Sequence, residues 1–286
     1  MNNIAIIGPG AVGSTIAFDL YPKYKSLLLL GRQDYDLTYY ANGNTKHPYT
    51  LTVSSLKASY SKIDVLIIAV KIPQLESILP KIDDLIHDQT IIILAQNGYG
   101  QLSRLQYPNV FQAVVYISGQ KNGATVTHYR DHKLVLQDAP QTRLIKKMAT
   151  NTDLNIELTS DINQAIWYKL LVNLAINTVT ALTRQTAIVL QTPGIKTLCQ
   201  QLLTEGVSIA QAENVNFNKD VIQDIMSIYN GYPNEMGTSM YYDIISNKPL
   251  EIEGIQGFLF NKARTHKLFT PVLDTVYPLL LAQQKY

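Results

Sequence analysis

Cysteine is almost absent from this sequence, and so are the usual signals of secretion and membrane insertion. With Cys199 as its one cysteine, the chain cannot form an intrachain disulfide, which fits a reducing compartment. The start, Met1-Asn2-Asn3-Ile4, lacks the basic region and small-residue cleavage site of a signal peptide. No run approaches about 18 uninterrupted apolar residues, the length that a spanning helix needs. We therefore expect a cytoplasmic protein with no membrane partner.

Charge is also sparse, and neither sign dominates. The formal net charge is +2, with 24 basic and 22 acidic residues and no dense basic stretch. Nucleic acid is therefore not an expected partner. Hydrophobic residues make up 46% and charged residues 16%, a globular rather than a disordered balance. A length of 286 residues suits two moderate domains better than one.

Short apolar runs alternate with helix-like segments over the first 160 residues. Both faces of each run are apolar, as in a parallel sheet covered by helices on each side. The predicted strands are Ile4–Ile7, Leu27–Leu30, Val65–Val70, Ile91–Ala95 and Val110–Ile117. This alternation predicts an α/β fold, in which residues 1–160 form a doubly wound, Rossmann-type domain with a parallel sheet.

The pattern changes towards the end of this domain. Thr125–His128 and Lys133–Leu136 flank a polar segment, Tyr129–His132, which we interpret as the tip of a hairpin. From about Ser160 the periodicity is helical, and a helix is predicted from Ile162 to about Leu182. Further helices are predicted at Gly194–Asn214, Lys219–Tyr229, Thr238–Ser246, Glu251–His266 and from Pro271 to the end. We expect residues 161–286 to form an all-helical domain.

A G-x-G-x-x-G sequence, Gly8-Pro9-Gly10-Ala11-Val12-Gly13, directly follows the first strand and opens a helical stretch. In a dinucleotide site the first glycine permits a tight turn, the second lets the pyrophosphate approach, and the third lets helix and strand pack closely. Free N–H groups at the helix start then meet the phosphate charge. A glycine-rich turn without a ligand is the alternative, and the placement of the motif favours the cofactor.

Arg32 follows the second strand, where an NAD site usually has an acidic residue on the ribose 2′-hydroxyl. No acid occurs there until Asp34. A guanidinium is permanently charged and makes forked hydrogen bonds, which suits a 2′-phosphate. Arg32 therefore favours NADP(H), and a solvated loop arginine is the alternative.

Two further polar positions directly follow predicted strands. Lys71 comes after Val65–Val70, and Asn97-Gly98 comes just after Ile91–Ala95. In a doubly wound sheet the carboxyl ends of strands face the ligand crevice. An ordinary surface lysine and a tight Asn-Gly turn are the alternatives. The occurrence of both at successive strand ends favours the crevice.

A polar stripe interrupts the apolar helix that opens the second domain. Lys169, Asn173 and Asn177 are four residues apart, so they share one helix face. Burying an unpaired amide or ammonium is costly, so the stripe needs partners. From the stripe alone, a polar seam between helices and a catalytic face are equally good interpretations.

Together these residues resemble the ketopantoate reductase (2-dehydropantoate 2-reductase) family, over essentially the whole chain. The lysine–asparagine helix with the later serine and glutamate is much more specific than the glycine turn. The residues that carry the resemblance are Gly8-Pro9-Gly10-Ala11-Val12-Gly13, Ala69-Val70-Lys71, Gln96-Asn97-Gly98, Trp167-Tyr168-Lys169 with Asn173 and Asn177, Ser239-Met240 with Asp243, and Glu251 before Gln256-Gly257-Phe258.

The resemblance implies an NADPH-dependent enzyme that reduces ketopantoate to (R)-pantoate in pantothenate and coenzyme A biosynthesis. It makes Lys169 the general acid, while Asn97, Asn173, Asn177 and Ser239 hold the substrate. Lys71, Asn97 and Glu251 line the cofactor and the reaction centre, and Glu251 could keep Lys169 protonated. Gly119 aligns with a position beside the cofactor.

Two departures from the family pattern put some contacts in doubt. A substrate-binding asparagine is common at the position of Ala187, and a glutamine is common directly before Asp243, where this chain has Tyr242. Reduction of another small 2-keto acid is therefore an alternative function. A non-catalytic NADP-binding redox sensor is a further alternative, but retention of Lys169 and Glu251 argues against it.

Other polar residues carry less weight. His128 and His132 flank the expected hairpin tip and have no further ligands in sight, so we predict no metal site. Cys199 has no convincing histidine partner and is interpreted as a small core residue. The sequence leaves the oligomeric state undefined, with a homodimer as one candidate.

Overall fold

The computed structural model describes residues 3–284, which form two compact units. Unit 1 comprises the chain up to Asn97 together with Gln101–Ile162. Unit 2 comprises Gly98–Gly100 and the chain from Asn163 onward. A short segment inside the first half of the sequence thus belongs with the helical second half.

Unit 1 is built on one ten-stranded sheet, which contains the predicted apolar strands and further strands that were not predicted. Its spatial order is β10-β9-β3-β4-β2-β1-β5-β6-β7, and β8 pairs with β9 off this path. The strands are β1 (Ile4–Ile7), β2 (Leu28–Gly31), β3 (Tyr35–Tyr40), β4 (Pro48–Ser55), β5 (Val65–Ile68), β6 (Ile91–Leu94), β7 (Val110–Gln112), β8 (Val114–Asn122), β9 (Thr125–Gln137) and β10 (Asn155–Thr159).

Helices cover both faces of the central strands, which confirms the predicted doubly wound arrangement. The helices of this unit are α1 (Ala11–Leu20), α2 (Leu75–Leu85) and α3 (Pro140–Ala149). Alternate residues of β1 enter different cores: Ile4 and Ile6 pack in one cluster with α1 and α3, while Ala5 and Ile7 pack in another with α2. The strands β2, β1, β5 and β6 are mutually parallel. Their carboxyl ends therefore meet along one edge of the sheet.

Strands β3 and β4, which were not predicted, pair antiparallel with each other. Both strands alternate between buried and more exposed residues, as in Leu37-Thr38-Tyr39 and Leu51-Thr52-Val53. That is the pattern of a strand with one covered face, whereas the predicted strands are runs that are apolar on both faces. The sheet is therefore mixed, with a parallel centre.

The predicted hairpin tip at Tyr129–His132 was wrong. These residues lie within β9, and the hairpin is formed by β8 and β9 around the two-residue connection Gly123-Ala124. Asp131 adopts a positive φ of 64°, and the β8–β9 register shifts near Ser118. These irregularities break the alternation of the strand and give it a polar stretch that resembles a turn.

Unit 2 is helical, in agreement with the predicted second domain. Its helices are α4 (Ile162–Thr183, with Ile162 in unit 1), α5 (Ile195–Ala212), α6 (Val221–Asn230), α7 (Ser239–Ile245), α8 (Gln256–Thr265) and α9 (Pro271–Gln283). The predicted last helix runs on to residues 285 and 286, which lie outside the described residues. The single helix predicted at Glu251–His266 is instead a 3₁₀ turn, Ile252–Gly254, followed by α8.

Helix α4 lies at the centre of unit 2. Length and composition alone would let it cross a membrane, since its mean hydropathy is 1.3 over the best window, although no such helix was predicted. Yet 72% of that window is buried inside the protein, as in a core helix. Trp167, Leu171 and Leu174 pack in one apolar cluster with residues from the other helices of the unit. The polar residues of α4 are thus held on a largely buried, well-packed helix.

Candidate active site

The glycine turn after β1 has the geometry that its sequence predicts. Gly8 has a φ of +108°, and a Cβ there would lie 2.7 Å from the backbone carbon of Ala69. A Cβ on Gly13 would lie 2.1 Å from the Gly8 carbonyl oxygen, so helix and strand approach closely. A Cβ on Gly10, in contrast, would meet nothing within 4 Å. Two glycines are therefore demanded by the fold, while the third leaves open space, as a bound pyrophosphate requires.

The start of α1 is suited to an anion. Its N-cap is Gly10, which provides no capping side chain, and its first turn carries no acidic residue. The first N–H groups of Ala11, Val12 and Gly13 have no partner within the helix, as at any helix start. Gly119 on β8 lies beside this turn, since a Cβ there would lie 3.2 Å from the Ala11 side chain. The donor set and the open face at Gly10 fit the phosphates of a dinucleotide.

At the end of β2, the acidic residue nearest to Arg32 is already engaged. The Asp34 carboxylate accepts a hydrogen bond from the Ser55 backbone N–H at 2.8 Å. Arg32 itself is exposed and directly follows Gly31, the last residue of β2. The strand end therefore presents a guanidinium, and the nearby carboxylate has a structural role in fixing the chain.

Lys71 and Asn97 follow neighbouring parallel strands, as predicted. Both are half-buried, and their strands β5 and β6 are paired with Ile68 opposite Leu94. The Gln96 side chain donates a hydrogen bond to the Val70 carbonyl at 2.7 Å, which ties the two strand ends together. Lys71 and Asn97 thus lie at the same edge of the sheet.

Asn97-Gly98 is more than a tight turn. Gly98 has a φ of +86°, and a Cβ there would lie 2.6 Å from the Gly254 carbonyl oxygen. The next residue, Tyr99, donates its N–H to Gly254 at 3.0 Å and its hydroxyl to Asn163 at 2.9 Å. Gly98–Gly100 therefore belong to unit 2, next to the 3₁₀ turn that follows Glu251 and the first turn of α4.

The polar stripe of α4 contains a buried amide. Lys169 and Asn173 are half-buried, and Asn177 is only 2% exposed. Among residues 3–284, the Asn177 side-chain nitrogen has no hydrogen-bond partner. Leaving a buried donor unsatisfied costs about 1–3 kcal/mol. A ligand that accepts from this nitrogen would remove that cost, which fits the substrate contact expected for Asn177.

Ser239 is exposed and is the first residue of α7. The residue before it, Thr238, caps the helix by accepting from the Tyr241 N–H at 3.2 Å. The Thr238 hydroxyl also lies 2.7 Å from the hydroxyl of Thr180 on α4. The helix that carries Ser239 is thus fastened to the helix that carries the polar stripe.

Gln256 provides a second link and was not among the predicted site residues. It is fully buried, and its side-chain nitrogen donates to the Thr178 hydroxyl at 2.9 Å and to the Met240 sulfur at 3.9 Å. Its two partners, Thr178 and Met240, are the residues that directly follow Asn177 and Ser239 in the sequence. Its position in Gln256-Gly257-Phe258, directly after the Glu251 region, was the only sequence signal for it.

Glu251 and Ala187, two positions compared with the family pattern, are both nearly buried. Glu251 is 8% exposed and immediately precedes the 3₁₀ turn Ile252–Gly254. Ala187 is 2% exposed and packs in the apolar core, with its N–H donating to the Met236 carbonyl at 2.8 Å. A methyl group in this environment offers no polar contact to a substrate.

The two histidines of β9 have a structural environment. His132 lies 2.9 Å from the Asp19 carboxylate on α1, and the His128 ring is tilted against the His132 ring, with ring centroids 4.2 Å apart. Burial raises the pKa of Asp19 to about 6, against the opposing effect of the His132 hydrogen bond. Cys199 is fully buried, and burial raises the pKa of its thiol to about 12. Among residues 3–284, no group of three or more His, Cys, Asp or Glu is arranged to hold a metal ion.

Two protein-family models match most of the chain. The family model described as ketopantoate reductase PanE/ApbA matches residues 4–141. The model of the C-terminal region of the same family matches residues 161–284. The two matched ranges cover the glycine turn, both strand-end positions, the α4 stripe, Ser239 and Glu251.

Individual relatives are similar over almost their whole length. A dimeric ketopantoate reductase from Staphylococcus aureus is 50% identical in sequence to this chain, and its structure matches with a TM-score of 0.95. The match covers 98% of this chain and 98% of that one. A 2-dehydropantoate 2-reductase from Mycobacterium tuberculosis is 29% identical over 98% of this chain and 97% of the relative. A D-mandelate dehydrogenase structure with NADH shares the fold, with a TM-score of 0.88 at 22% identity, over 98% of this chain and 97% of that one. Since the two family models span nearly all of its length, the chain belongs to the ketopantoate reductase family of oxidoreductases.

Proposed function

We propose that this protein reduces ketopantoate to (R)-pantoate with NADPH, in pantothenate and coenzyme A biosynthesis. In this proposal unit 1, near residues 1–160, binds the cofactor, and unit 2, near residues 161–286, holds the substrate and the proton donor. Similarity to the S. aureus ketopantoate reductase, at 50% identity over nearly both whole chains, supports the reaction. The structural observation that carries the proposal most directly is the buried, unpartnered Asn177 nitrogen on the same helix as Lys169.

The cofactor is proposed to bind through the glycine turn and the neighbouring strand ends. The open face at Gly10 and the free N–H groups of α1 receive the pyrophosphate. Lys71, Asn97, Gly119 and Glu251 complete this part of the site. When bound, the nicotinamide cofactor supplies the hydride. NADPH is favoured over NADH because Arg32 stands at the end of β2 and the Asp34 carboxylate is bonded to Ser55.

Lys169 is the proposed general acid. Reduction of a ketone places negative charge on its oxygen, and a positioned ammonium stabilises that charge and gives up its proton. General acid catalysis of this kind is worth about 10²–10⁴-fold in rate. The nearly buried carboxylate of Glu251 would favour the charged form of the lysine.

The substrate's carboxylate and hydroxyl are proposed to be held by uncharged donors. Asn173, Asn177, Ser239 and Asn97 provide amide and hydroxyl groups for this purpose. The Asn177 side-chain nitrogen is already buried without a hydrogen-bond partner. A substrate oxygen that accepts from it therefore satisfies this donor without first displacing water from it. A substrate that lacks this oxygen would leave the nitrogen unpaired and bind more weakly.

Another small 2-keto acid is the second candidate substrate. It is favoured by Ala187, whose buried methyl group stands where the family commonly has a substrate-binding asparagine. The fold does not decide between them, because the D-mandelate dehydrogenase shares it.

A homodimer is also proposed, on the strength of the dimeric S. aureus relative. Light scattering should then give twice the 32.0 kDa mass of the chain, and a mass of 32.0 kDa would contradict it.

The test of the proposed function is NADPH oxidation with ketopantoate and a panel of other 2-keto acids. We expect the highest kcat/KM with ketopantoate. A higher kcat/KM for another 2-keto acid would transfer the proposal to that substrate. Tight NADPH binding without turnover of any member of the panel would contradict the enzymatic function and favour the sensor.

A further inference from the structure

Lys121 on β8 holds its ammonium group against the glycine turn. Its side-chain nitrogen lies 2.7 Å from the Pro9 carbonyl oxygen and 2.6 Å from the Tyr35 hydroxyl. The ammonium also lies 5.2 Å from the centre of the Tyr35 ring. Pro9 is the residue between the first two glycines of the turn, and Tyr35 opens β3. A half-buried positive charge is thus fixed at a defined point beside the predicted cofactor turn.

This point lies on the side of the turn that faces the end of β2. Gly31, the last residue of β2, packs so closely on Pro9 that a Cβ there would lie 3.2 Å from the proline ring. Tyr35 follows Arg32 by three residues. In dinucleotide-binding sheets the pyrophosphate lies on the glycine turn, and the adenosine ribose is recognised at the end of the second strand. Lys121 therefore stands where these two regions meet.

The chemistry of the contacts suits an anion. The Pro9 carbonyl and the Tyr35 hydroxyl are uncharged acceptors, and together they hold the ammonium at this point. The acidic side chain nearest in sequence to Arg32, Asp34, is directed to the Ser55 backbone. A phosphate monoester carries roughly two negative charges at neutral pH, which one guanidinium alone does not balance.

We propose that Lys121 is the second cation, with Arg32, that recognises the adenosine 2′-phosphate of NADPH and so determines the choice of cofactor. This inference rests on the cofactor part of the proposed function and adds a specificity residue to it. It does not depend on which 2-keto acid is reduced.

The test compares the binding of two cofactor fragments by calorimetry. 2′,5′-ADP carries the 2′-phosphate, and 5′-AMP lacks it. Lys121→Met should weaken 2′,5′-ADP about ten-fold or more, the usual effect of losing a hydrogen bond between charged groups. The same variant should change 5′-AMP binding by less than about two-fold. Lys121→Arg should restore most of the affinity for 2′,5′-ADP.

Lys133→Met is the matched control, because Lys133 lies on the neighbouring strand β9 and pairs with Glu157 at 3.1 Å. It should leave both affinities unchanged. Equal weakening of both fragments by Lys121→Met would overturn the proposal, since it would place the ammonium on the 5′-phosphate or assign it a purely structural role. Unchanged affinity for 2′,5′-ADP would overturn it as well. If Lys121→Met fails to fold, Lys121→Gln, which keeps a donor towards Pro9, serves for the same comparison.

The outcomes separate this inference from the proposed function. Fragment binding needs no 2-keto acid and no turnover. A chain that reduces ketopantoate but shows equal losses for both fragments would retain its function and lose only the role of Lys121. A chain that discriminates the fragments through Lys121 but reduces no 2-keto acid would lose only the function.

Discussion

Single residues in unit 1 divide into those that the fold requires and those that it leaves to a ligand. Gly13 belongs to the first kind, because the Gly8 carbonyl oxygen occupies the place of its Cβ. Gly10 belongs to the second, because its Cβ would enter open space and its backbone is extended, with a φ of −88°. The two glycines of one turn should therefore respond differently to the same substitution.

Gly10→Ala should fold as well as the wild type, with a small gain in stability of about 0.4–1 kcal/mol because the unfolded chain loses freedom. It should nevertheless weaken NADPH binding at least about ten-fold, because its methyl group occupies the space assigned to the pyrophosphate. Gly13→Ala should instead cost about 1–3 kcal/mol in the free energy of unfolding. Urea unfolding and calorimetric titration with NADPH measure both effects. Normal NADPH affinity in Gly10→Ala would contradict the cofactor assignment of this turn.

Single residues could be predicted where they belong to a pattern that is short in the sequence. The glycine turn is contiguous, and Lys169, Asn173 and Asn177 follow the period of a helix. Gln256 and Lys121 could not be found in this way, because their partners lie 78 and 112 residues away in the chain. Such contacts depend on the packing of the whole unit.

Two buried polar links hold the elements of unit 2 that carry the proposed substrate groups. Gln256 on α8 binds Thr178 on α4, and Thr180 on α4 binds Thr238 at the start of α7. Both links tie the polar stripe to the region of Ser239. They should therefore contribute to substrate binding as well as to stability.

Thr238→Ala removes the cap of α7 and one of these links. It should lower the free energy of unfolding by about 0.5–2 kcal/mol, the usual cost of losing a helix cap. It should also raise the KM for the 2-keto acid, because Ser239 loses its fixed position, while NADPH affinity stays unchanged. Thr238→Ser keeps the hydroxyl and is the control. An unaltered KM in a destabilised Thr238→Ala protein would show that the link serves folding alone.

In unit 1, a comparable link joins α1 to β9 through Asp19 and His132. Because burial raises the pKa of Asp19 to about 6, the folded protein keeps a proton that the unfolded chain releases at a lower pH. The stability that this proton contributes is fully present below about pH 4 and is lost as the pH rises through 6. Two neighbouring groups interact with this pair. The charge of Asp153 also raises the pKa of Asp19, and the charge of His132 lowers the pKa of His128.

Asp19→Asn removes this titration. Relative to that variant, the wild type should lose on the order of 3 kcal/mol of unfolding free energy between pH 4 and pH 7, since each unit of pKa shift corresponds to about 1.4 kcal/mol. Urea unfolding of both proteins across this range measures the difference. A difference that does not vary with pH would contradict the raised pKa.

Elements were predicted where one pattern dominated. The buried parallel strands and the long helices have strong apolar periodicity, so they were found. The strands β3 and β4 were missed because each has one buried face, and Pro48 at the start of β4 also reads as a break. The β8–β9 hairpin was predicted at the wrong place. Asn122-Gly123 is a strong turn signal, but the polar stretch around the Asp131 irregularity also has the composition of a turn.

At the scale of the whole molecule, the proposed function gives each of the two units its own task. Unit 1 has the glycine turn, Arg32 and the strand-end residues Lys71 and Asn97, all suited to a dinucleotide. Unit 2 has the polar stripe, Ser239 and Glu251, suited to an oxygen-rich substrate and a proton. Losing the proton donor should therefore impair turnover without impairing cofactor binding.

Comparing the wild type with Lys169→Ala tests this division most directly, using turnover of ketopantoate at saturating NADPH and the Kd for NADPH of each protein. Lys169→Ala should lower kcat by about two orders of magnitude or more, while the Kd for NADPH changes by less than about two-fold. Lys196→Ala, at an exposed lysine on α5, should leave both values unchanged. Near-normal kcat in Lys169→Ala would contradict the assignment of Lys169 as the general acid.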